Sequence, residues 1–513
     1  MILVEPSLIP KIDKYADEEL LISPLTLMGR AGSAVANAVF SYAKPGSKVR
    51  IFAGKGNNGG DGYAAAALLR SQYDVKVYDV FSAGQRTPEG MYFLNEYTSH
   101  GGVVETLDFS DEQLHDIDCA DTLVDAVFGT GFFGELPQKA VRLCDALHSM
   151  EDKNIIAVDV PLGINSSDGR VIYSGAYHAK TTVTLGFVKT GLVSYPAKEY
   201  VGNIINDNIG LHIPQVIDCF DFDSYYIDSE LAKALLPIRP QNSNKGSFGK
   251  LLVVSGSPDF IGAAHLSLEA ALRGGVGLVS YLGERELCVS LADKLPEAVY
   301  KPFSVMSATS LELDYPLELS RNHTAILVGC GSSKSNGLFE LVKRLLSEDG
   351  APLILDADAI NVLAEKGEVG RTLISNSKRT LILTPHPLEF SRLSGLSVTE
   401  IQSNRLSLAK SFASSHGCIL VLKGAGTVVT DGKTTFINST GSSALAKAGS
   451  GDILAGLLAS LTASGVDPLS ASALAVYLHG LAADSLTQEY SMLGVIPSDL
   501  PREIARQTAK LYK

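Results

Sequence analysis

The sequence predicts an α/β protein of two domains, each built on a parallel β-sheet with flanking helices. Short runs of β-branched and aliphatic residues alternate with helical patterns along the whole chain, which is typical of βαβ units. The 513 residues exceed what a single hydrophobic core usually organises. A segment rich in Asp, aromatic residues, Pro and Asn, residues 218–244, separates two such halves. We therefore predict domains at residues 1–225 and 226–513.

The individual elements follow from local patterns in chain order. In the first half we predict helices at residues 62–71 and 138–150 and strands at residues 49–53, 75–80, 122–127, 155–159 and 181–185. In the second half we predict strands at residues 250–255, 277–281, 325–328, 352–355, 380–383 and 418–422. Residues 427–430 and 434–438 flank an Asp-Gly turn and predict an antiparallel hairpin. Three helices are expected to close the chain.

Composition excludes several classes of partner. The 43 basic and 56 acidic residues give a net charge of −13, the wrong sign for a general nucleic-acid-binding surface. The six cysteines lie far apart without a CxxC pair, which indicates reduced thiols in a cytoplasmic protein. The first ten residues lack the pattern of a signal peptide. The longest apolar stretch, residues 453–466, is shorter than the ~20 residues needed to span a bilayer, so we expect no membrane partner.

A glycine-rich motif follows the first predicted strand. It reads Gly54-Lys55-Gly56-Asn57-Asn58-Gly59-Gly60-Asp61-Gly62 and precedes an alanine-rich helical stretch. A strand, a glycine loop and a helix start let backbone amides close on a polar or anionic ligand. A plain tight turn is the simpler explanation, but five glycines with two asparagines and an aspartate exceed what a turn requires. We therefore predict a binding site here.

Two further strands of the first half end in aspartates at what would be the same edge of the sheet. Asp125 leads into a second glycine-rich loop, and Asp159 leads into Val160-Pro161-Leu162-Gly163. A strand-end aspartate is commonly a helix cap. Ligands of open parallel sheets, however, bind at the carboxyl ends of the strands, so three polar strand ends predict one crevice.

These motifs, AGKGNNGGDG, DAVFGTGFFGE and DVPLGI, resemble those of the NAD(P)H-hydrate epimerase domain of the YjeF N-terminal type, a Rossmann-like fold, and PLTLMGRAG resembles its opening helix. The resemblance implies Asp159 as the proton-transfer residue and potassium near Asn58, Asp125 and Leu162, although the family usually has Ser or Thr at Leu162. If the ligand there is a side-chain oxygen the site is weakened; if it is a carbonyl, nothing is lost. The resemblance implies hydrate binding by Asn57, Asn58, Gly59, Gly60, Asp61, Gly129, Thr130, Gly131, Phe132, Phe133, Gly134, Glu135 and Asp159.

The strongest motif of the second half is Ala446-Lys447-Ala448-Gly449-Ser450-Gly451-Asp452, which precedes a long apolar helix. Small residues before a helix leave several N–H groups free to hold a developing phosphate charge. Asp452 is expected in the first helical turn. A favourable interaction with the helix dipole would explain it, but a carboxylate beside an anion hole is better explained as the base that takes a hydroxyl proton before phosphoryl transfer.

A second lysine and glycine motif lies upstream, at Lys423-Gly424-Ala425-Gly426-Thr427. The two motifs together resemble the ribokinase-like superfamily. With KGSFGKLLVVSGS, ALRGGVGLVS, DADAIN, TPHPLEF and YLHGLAAD they resemble one branch, the ADP-dependent NAD(P)H-hydrate dehydratases. The resemblance implies hydrate contacts from Ala263, Gly331, His386 and Asp452, and nucleotide contacts from Lys423, Gly424, Ala425, Gly426, Thr427 and Gly451. Ser450 stands where the family often has Thr, and Leu388 where Gly usually follows TPHP.

The resemblance thus implies repair of hydrated NADH and NADPH. The first domain would interconvert the R and S hydrates, and the second would use ADP to phosphorylate the C6 hydroxyl of the S form and release phosphate and AMP. Mg²⁺ would accompany ADP, K⁺ would bind the first domain, and family likeness suggests a homo-oligomer. An ATP-dependent small-molecule kinase, such as one acting on a thiazole alcohol, would share the GxGD motif. A non-catalytic binding role for the first domain is disfavoured by the intact Asp125 and Asp159.

Overall fold

The computed structural model describes residues 1–81 and 86–513, and the described chain divides into two compact units. The first consists of Ile2–Ser224, and the second of Met1 with Tyr225–Lys513. Both contain a parallel sheet between layers of helices, which confirms the predicted α/β class. Among the described residues, no helix is long and apolar enough to cross a membrane.

The first unit is built on a seven-stranded parallel sheet. Its strands are β1 (Ile2–Val4), β2 (Lys48–Ala53), β3 (Asp74–Asp79), β4 (Val103–Thr106), β5 (Thr122–Ala126), β6 (Asn154–Val158), β7 (Thr181–Leu185), β8 (Val188–Lys189) and β9 (Asn203–Asp207). Its helices are α1 (Ile9–Glu18), α2 (Pro24–Tyr42), α3 (Asn57–Leu69), α4 (Pro88–Ser99), α5 (Asp111–Asp118), α6 (Gln138–His148) and α7 (Pro214–Cys219). The order in the sheet is β4-β3-β2-β5-β6-β7-β9, while β1 pairs in parallel with β8.

This strand order reverses its direction at β2, which creates a topological switch point in the sheet. From β2 the chain first builds outward to β3 and β4 and then returns to place β5 on the other side of β2. Helices α2 and α3 pack on one face, and α5 and α6 on the other. The loops after β2 and β5 therefore diverge and leave a crevice at the carboxyl ends of the strands, which is where open α/β sheets bind ligands.

The second unit is a larger sheet flanked by helices. Its strands are β10 (Ser224–Ile227), β11 (Lys250–Val254), β12 (Leu278–Gly283), β13 (Val299–Pro302), β14 (Ala325–Val328), β15 (Leu353–Leu355), β16 (Leu381–Leu383), β17 (Ile419–Leu422), β18 (Val428–Thr430) and β19 (Thr435–Asn438). Its helices are α8 (Ser229–Ala234), α9 (Ile261–Arg273), α10 (Arg285–Ala292), α11 (Asp314–Ser320), α12 (Asn336–Ser347), α13 (Asp358–Ala364), α14 (Glu368–Ser375), α15 (Pro387–Ser394), α16 (Val398–Ser403), α17 (Arg405–His416), α18 (Ser450–Ala463), α19 (Pro468–Gly494) and α20 (Leu500–Leu511).

Seven strands of the second sheet are parallel, in the order β13-β12-β11-β14-β15-β16-β17. The predicted hairpin β18–β19 extends the sheet in the antiparallel direction. The switch point lies between β11 and β14, and α9, α18 and α19 bury one face of the sheet. The loops after β11, β14, β15, β16 and β17, together with the start of α18, carry the residues of the second site.

Candidate active sites

A cavity of about 750 Å³ lies at the switch point of the first unit. Its walls come from α1, α2, the start of α3, the loop after β5 and the segment around β8. Among the predicted ligand-binding residues, those lining it are Asn57, Asn58, Asp61, Gly129, Thr130, Gly131, Phe132 and Asp159. Most of the other lining side chains are apolar, so the few charged groups dominate its electrostatics.

The glycine motif after β2 is mostly helix rather than loop. The sequence predicts a helix from residue 62, but α3 begins at Asn57. Gly59 and Gly60 therefore lie in the first turn, where a Cβ on Gly59 would stand 2.0 Å from the Gly54 carbonyl oxygen and a Cβ on Gly60 would stand 2.6 Å from the Met28 side chain. Glycine is needed for this close packing, which brings Asn57, Asn58 and Asp61 to the cavity wall.

Asp159 follows β6 in a left-handed conformation, with φ of +65°. Such a backbone is costly for a non-glycine residue and is typical of functional sites. Its carboxylate forms an ion pair with the fully buried Lys189, and Oδ2 accepts a hydrogen bond from the Thr130 amide at 3.2 Å. Lys189 also donates to the Leu185 carbonyl at 2.7 Å. The carboxylate is thus held by a cation on one side and by the loop after β5 on the other.

The family resemblance assigns potassium binding to Asn58, Asp125 and Leu162, and these residues differ in the hydrogen bonds that their polar atoms form. Asp125 is fully buried and accepts hydrogen bonds from the Val127 and Leu162 amides and, at 2.6 Å, from the Tyr177 hydroxyl. Burial raises the pKa of Asp125, and these hydrogen bonds oppose the shift. Among the described residues, neither amide atom of the buried Asn58 side chain has a hydrogen-bond partner.

Leu162 lies in the hydrophobic core, and among the described residues its carbonyl oxygen accepts only a weak contact, at 3.6 Å, from the Cys144 thiol. Only this carbonyl, and not a side-chain oxygen, is available at position 162 as a ligand. Further along the chain, Phe133, Gly134 and Glu135 are described residues that do not line the cavity, and the Phe133 side chain is exposed.

In the second unit, Asp452 lies in the first turn of α18, as predicted. Its carboxylate belongs to a cluster with Cys330 and Asp356, in which one polar atom from each lies within 4.8 Å of the others. Burial and the charge of Asp356 raise the pKa of Asp452 to about 7, although Lys423 acts in the opposite direction. A carboxyl group with such a pKa is suited to accept a proton near neutral pH.

Lys423 is bound to Asp356, not to Asp452. Its ammonium donates to Asp356 Oδ1 at 2.8 Å, and Thr384 donates to the same oxygen at 2.6 Å. Burial opposes the charge of Lys423, but Asp356 and Glu389 outweigh it and raise the lysine pKa. A Cβ on Gly451 would stand 3.3 Å from the lysine nitrogen, so the two predicted nucleotide-binding motifs meet here.

The remaining predicted residues of the second site lie on neighbouring loops. Gly331 has a φ of +58°, and a Cβ on it would stand 2.6 Å from that of Ala263, so these two residues are in contact. Gly424 and Gly426 also have positive φ, and Thr427 donates to the Gly424 carbonyl at 2.9 Å. These contacts fold the loop containing Gly424, Ala425, Gly426 and Thr427 into a compact turn beside β17.

His386 caps α15. Its Nδ1 accepts from the amides of Leu388 and Glu389, and the Glu389 carboxylate accepts from the His386 amide at 2.8 Å. Burial lowers the pKa of His386 and raises that of Glu389 to about 7. The Leu388 side chain, which replaces the usual glycine, is about half exposed.

The hydroxyl of Ser450 is buried without a partner among the described residues.

Sequence reasoning missed four charged residues that shape the two sites. Lys189 and Asp13 face the first cavity, and Asp356 and Glu389 surround Lys423. The DADAIN and TPHPLEF motifs contain Asp356 and Glu389, so the signal was present but carried no assigned role. Lys189 and Asp13 stand in no quoted motif, and only the folded chain brings them to Asp159.

Comparisons with known proteins agree with these observations. The YjeF-related protein N-terminus family matches residues 24–191, and the NAD(P)H-hydrate dehydratase family matches residues 251–506. A curated bifunctional NAD(P)H-hydrate repair enzyme of Moorella thermoacetica is 34% identical over 98% of this chain and 95% of its own. The Coxiella burnetii enzyme of the same name is 32% identical over 93% of this chain and 94% of its own.

The chain also resembles a solved dehydratase structure over about half of its length. The ADP/ATP-dependent NAD(P)H-hydrate dehydratase of Bacillus subtilis, co-crystallised with ATP and Mg²⁺, has a TM-score of 0.50 and 33% identity, and it covers 56% of this chain and 98% of its own. The near full-length relatives contain both halves in one polypeptide. The chain belongs to the family of bifunctional NAD(P)H-hydrate repair enzymes.

Proposed function

We propose that the chain repairs hydrated NADH and NADPH by epimerising the R and S hydrates in the first unit and dehydrating the S hydrate, at the expense of ADP, in the second. The observation that carries this proposal is the placement of Asp452, a carboxyl group with a pKa of about 7 at the start of α18. The relatives' names describe hydrate repair, which disfavours the alternative of a kinase with a stable phosphorylated product.

In the dehydratase step, Asp452 removes the proton of the C6 hydroxyl. The resulting oxygen attacks the terminal phosphorus of ADP, and AMP leaves. The amides at the start of α18 stabilise the developing phosphate charge because they have no intrahelical acceptor. The ring nitrogen's electron pair then forms a double bond as the C6–O bond breaks, and loss of a ring proton restores the dihydronicotinamide with release of phosphate.

The donor set of the second site fits a nucleotide with Mg²⁺. Mg²⁺ prefers one or two carboxylates together with substrate phosphates and water. Asp356 offers a carboxylate whose Oδ2, within the part of the chain that the structure describes, has only a 3.6 Å contact with the Cys330 thiol. We propose that Asp356 holds the ion and that the ion neutralises the transferring phosphate. Lys423 and Gly451, in contact at the same point, are proposed to bind the ADP phosphates, with the turn from Gly424 to Thr427 beside the nucleoside.

We propose that Ala263, Gly331 and His386 bind the hydrate in the second unit. In the first unit the hydrate would occupy the 750 Å³ cavity, with Asp159 as a proton-transfer group. The unpartnered Asn58 amide supports a cation site formed with Asp125 and the Leu162 carbonyl. K⁺ fits such neutral and anionic oxygen donors. If K⁺ binds there, Asn58→Ala should remove the dependence of epimerisation on K⁺, and an unchanged K⁺ response would exclude the site.

We also propose a cytoplasmic homo-oligomer. Sedimentation of the purified chain tests the assembly, and fractionation of the source cells tests the compartment. A monomer in solution, or recovery in another fraction, would overturn the respective proposal.

The function is tested directly by incubating hydrated NADH with ADP, Mg²⁺ and K⁺ and following recovery of the reduced-nicotinamide absorbance. We expect complete recovery from a mixture of R and S hydrates, with one AMP and one phosphate for each NADH. A phosphorylated nicotinamide product that accumulates without recovery of absorbance would favour the kinase alternative.

A further inference from the structure

Helix α1 contributes a charged residue to the first cavity from outside the part of the chain that matches the YjeF-related family. The match begins at residue 24, whereas α1 comprises Ile9–Glu18. Ile12 and Ala16 of α1 are fully buried against a cluster that includes Leu27 and Phe187. This packing fixes the helix and places Asp13, the residue next to Ile12, in the cavity wall.

Asp13 lies in the same cavity as Asp159, the proposed proton-transfer residue, and Lys189, which pairs with Asp159. Its carboxyl interacts electrostatically with Lys189 and Asp159. The Lys189 ammonium already donates hydrogen bonds to the Asp159 carboxylate, to the Thr184 hydroxyl at 3.2 Å and to the Leu185 carbonyl. Within the described part of the chain, no hydrogen bond or close ion pair compensates the charge of Asp13. Burial consequently raises the pKa of Asp13 to about 6.

A partly buried carboxyl group without a partner lowers stability, so its presence in a ligand cavity calls for a functional reason. Interconversion of the two hydrates requires both a proton acceptor and a proton donor. A pocket that contains one carboxylate paired with a lysine and a second carboxyl group without such a partner supplies both. Asp159 is the carboxylate paired with Lys189, which leaves the donor role to another group.

We propose that Asp13 is the second proton-transfer residue of the epimerase, acting as the acid opposite Asp159. The inference rests on the proposed function of the first unit. Asp159 takes the proton of the C6 hydroxyl, the C6–N1 bond breaks, and its electron pair goes to N1, which receives the proton of Asp13. The C6 aldehyde so formed rotates about the C5–C6 bond. Return of the N1 proton to Asp13, attack of N1 on the other face and reprotonation of the oxygen by Asp159 give the opposite epimer.

Asp61 is the competing acid. It also lines the cavity, and burial raises its pKa well above the usual range. Asp61 is buried, whereas Asp13 is only partly buried and so more accessible to a ligand in the cavity. The structure therefore favours Asp13. The other titratable side chains that line the cavity with Asp13 are Lys14, Asp17, Asp61, Glu89, Asp159 and Lys189.

The test compares Asp13→Asn with Glu18→Gln in the full chain, because Glu18 lies on the same helix, is exposed and does not line the cavity. Chromatography of the two hydrates follows epimerisation of pure R hydrate over short times. For Asp13→Asn we expect kcat to fall about 100-fold or more with little change in KM, and the wild-type limb of the pH profile near 6 to disappear. Glu18→Gln should behave as wild type. Dehydration of pure S hydrate should be unchanged in both.

The outcomes separate the inference from the proposed function. If the wild-type chain does not epimerise the hydrates, the function of the first unit is wrong and the inference with it. If the wild type is active and Asp13→Asn keeps its kcat, the inference alone is overturned. A lower Tm together with a raised KM would mean that Asp13 is only structural, and this too would overturn the inference. Loss of kcat in Asp61→Asn, with Asp13→Asn unaffected, would assign the acid to Asp61.

Discussion

The two units use the same residue types, an aspartate and a lysine, in different arrangements. In the first unit Lys189 pairs with the proposed catalytic Asp159 itself. In the second unit Lys423 pairs with the neighbouring Asp356, and burial together with the charge of Asp356 raises the pKa of Asp452 to about 7. The proposed catalytic aspartate is thus directly paired with a lysine in the first unit, whereas in the second it lies beside a carboxylate that holds the lysine.

The largest effect is expected at Asp452. Asp452→Asn keeps the size of the side chain but cannot accept the hydroxyl proton, so the dehydratase rate should fall by the ~10²–10⁴ typical of a lost general base. Recovery of absorbance from pure S hydrate measures this rate. Asp467→Asn is the control, because it replaces the exposed N-cap of α19 by another good cap. Near-normal turnover of Asp452→Asn would remove Asp452 from catalysis.

Asp159→Ala should break the first site and leave the second intact. Epimerisation should fall about 100-fold or more, while dehydration of pure S hydrate keeps its rate. Repair of a mixture should then stall once the S form is consumed, as chromatography can follow. Asp118→Ala is the matched control, since that side chain is mostly exposed at the end of α5. Loss of dehydration of pure S hydrate in folded Asp159→Ala would contradict the separation of the two sites.

Lys189→Met tests how much the Lys189–Asp159 ion pair contributes to the free energy of unfolding. It leaves the carboxylate of Asp159 in a buried position without its cation, and breaking a buried ion pair from one side costs about 3–5 kcal/mol. Denaturant unfolding of the first unit should show this loss. Lys14→Met is the control because both partners of its ion pair with Glu18 are exposed, and such pairs contribute about 0–1 kcal/mol. Equal stabilities of the two variants would mean that the Lys189–Asp159 pair is not a structural unit.

Asp452→Asn should have the opposite, smaller effect on stability. The raised pKa means that the folded state binds more protons than the unfolded state between about pH 4 and 7, so the cost of the charged group is absent below this window and complete above it. The variant should therefore melt a few degrees above wild type at pH 8, with about 2–4 °C for each kcal/mol, and the difference should shrink at pH 5. A variant less stable than wild type at pH 8 would contradict the assigned burial of charge.

The elements of the fold could be predicted where the pattern that specifies them lies within a few neighbouring residues of the sequence. The central strands of both sheets and the β18–β19 hairpin follow from short aliphatic runs, and their positions agree within one or two residues. The edge strands β4 and β9 were missed because they are half polar, as in Val103–Thr106 and Asn203–Asp207. The start of α3 was placed five residues late because glycines that weaken a helix in isolation are required there by close packing.

The residues of the two sites could likewise be predicted only where a local sequence pattern surrounds them. Asp452 and Asp159 could be predicted because glycine motifs and strand ends surround them. Lys189 and Asp13 could not, since each is a single charged residue whose importance arises from a contact across the fold. The pairing of Lys423 with Asp356 joins β17 to β15, and no spacing in the sequence indicates which carboxylate the lysine would choose.

The central claim is that each unit holds a complete acid–base centre of its own. Mixing equal amounts of Asp159→Ala and Asp452→Asn tests it most directly, because neither variant alone can repair a mixture of R and S hydrates. With ADP, Mg²⁺ and K⁺ present, we expect the mixed variants to restore reduced cofactor completely, one supplying epimerisation and the other dehydration. Recovery that stops at the S fraction, as with Asp159→Ala alone, would show that the two centres depend on each other within one chain.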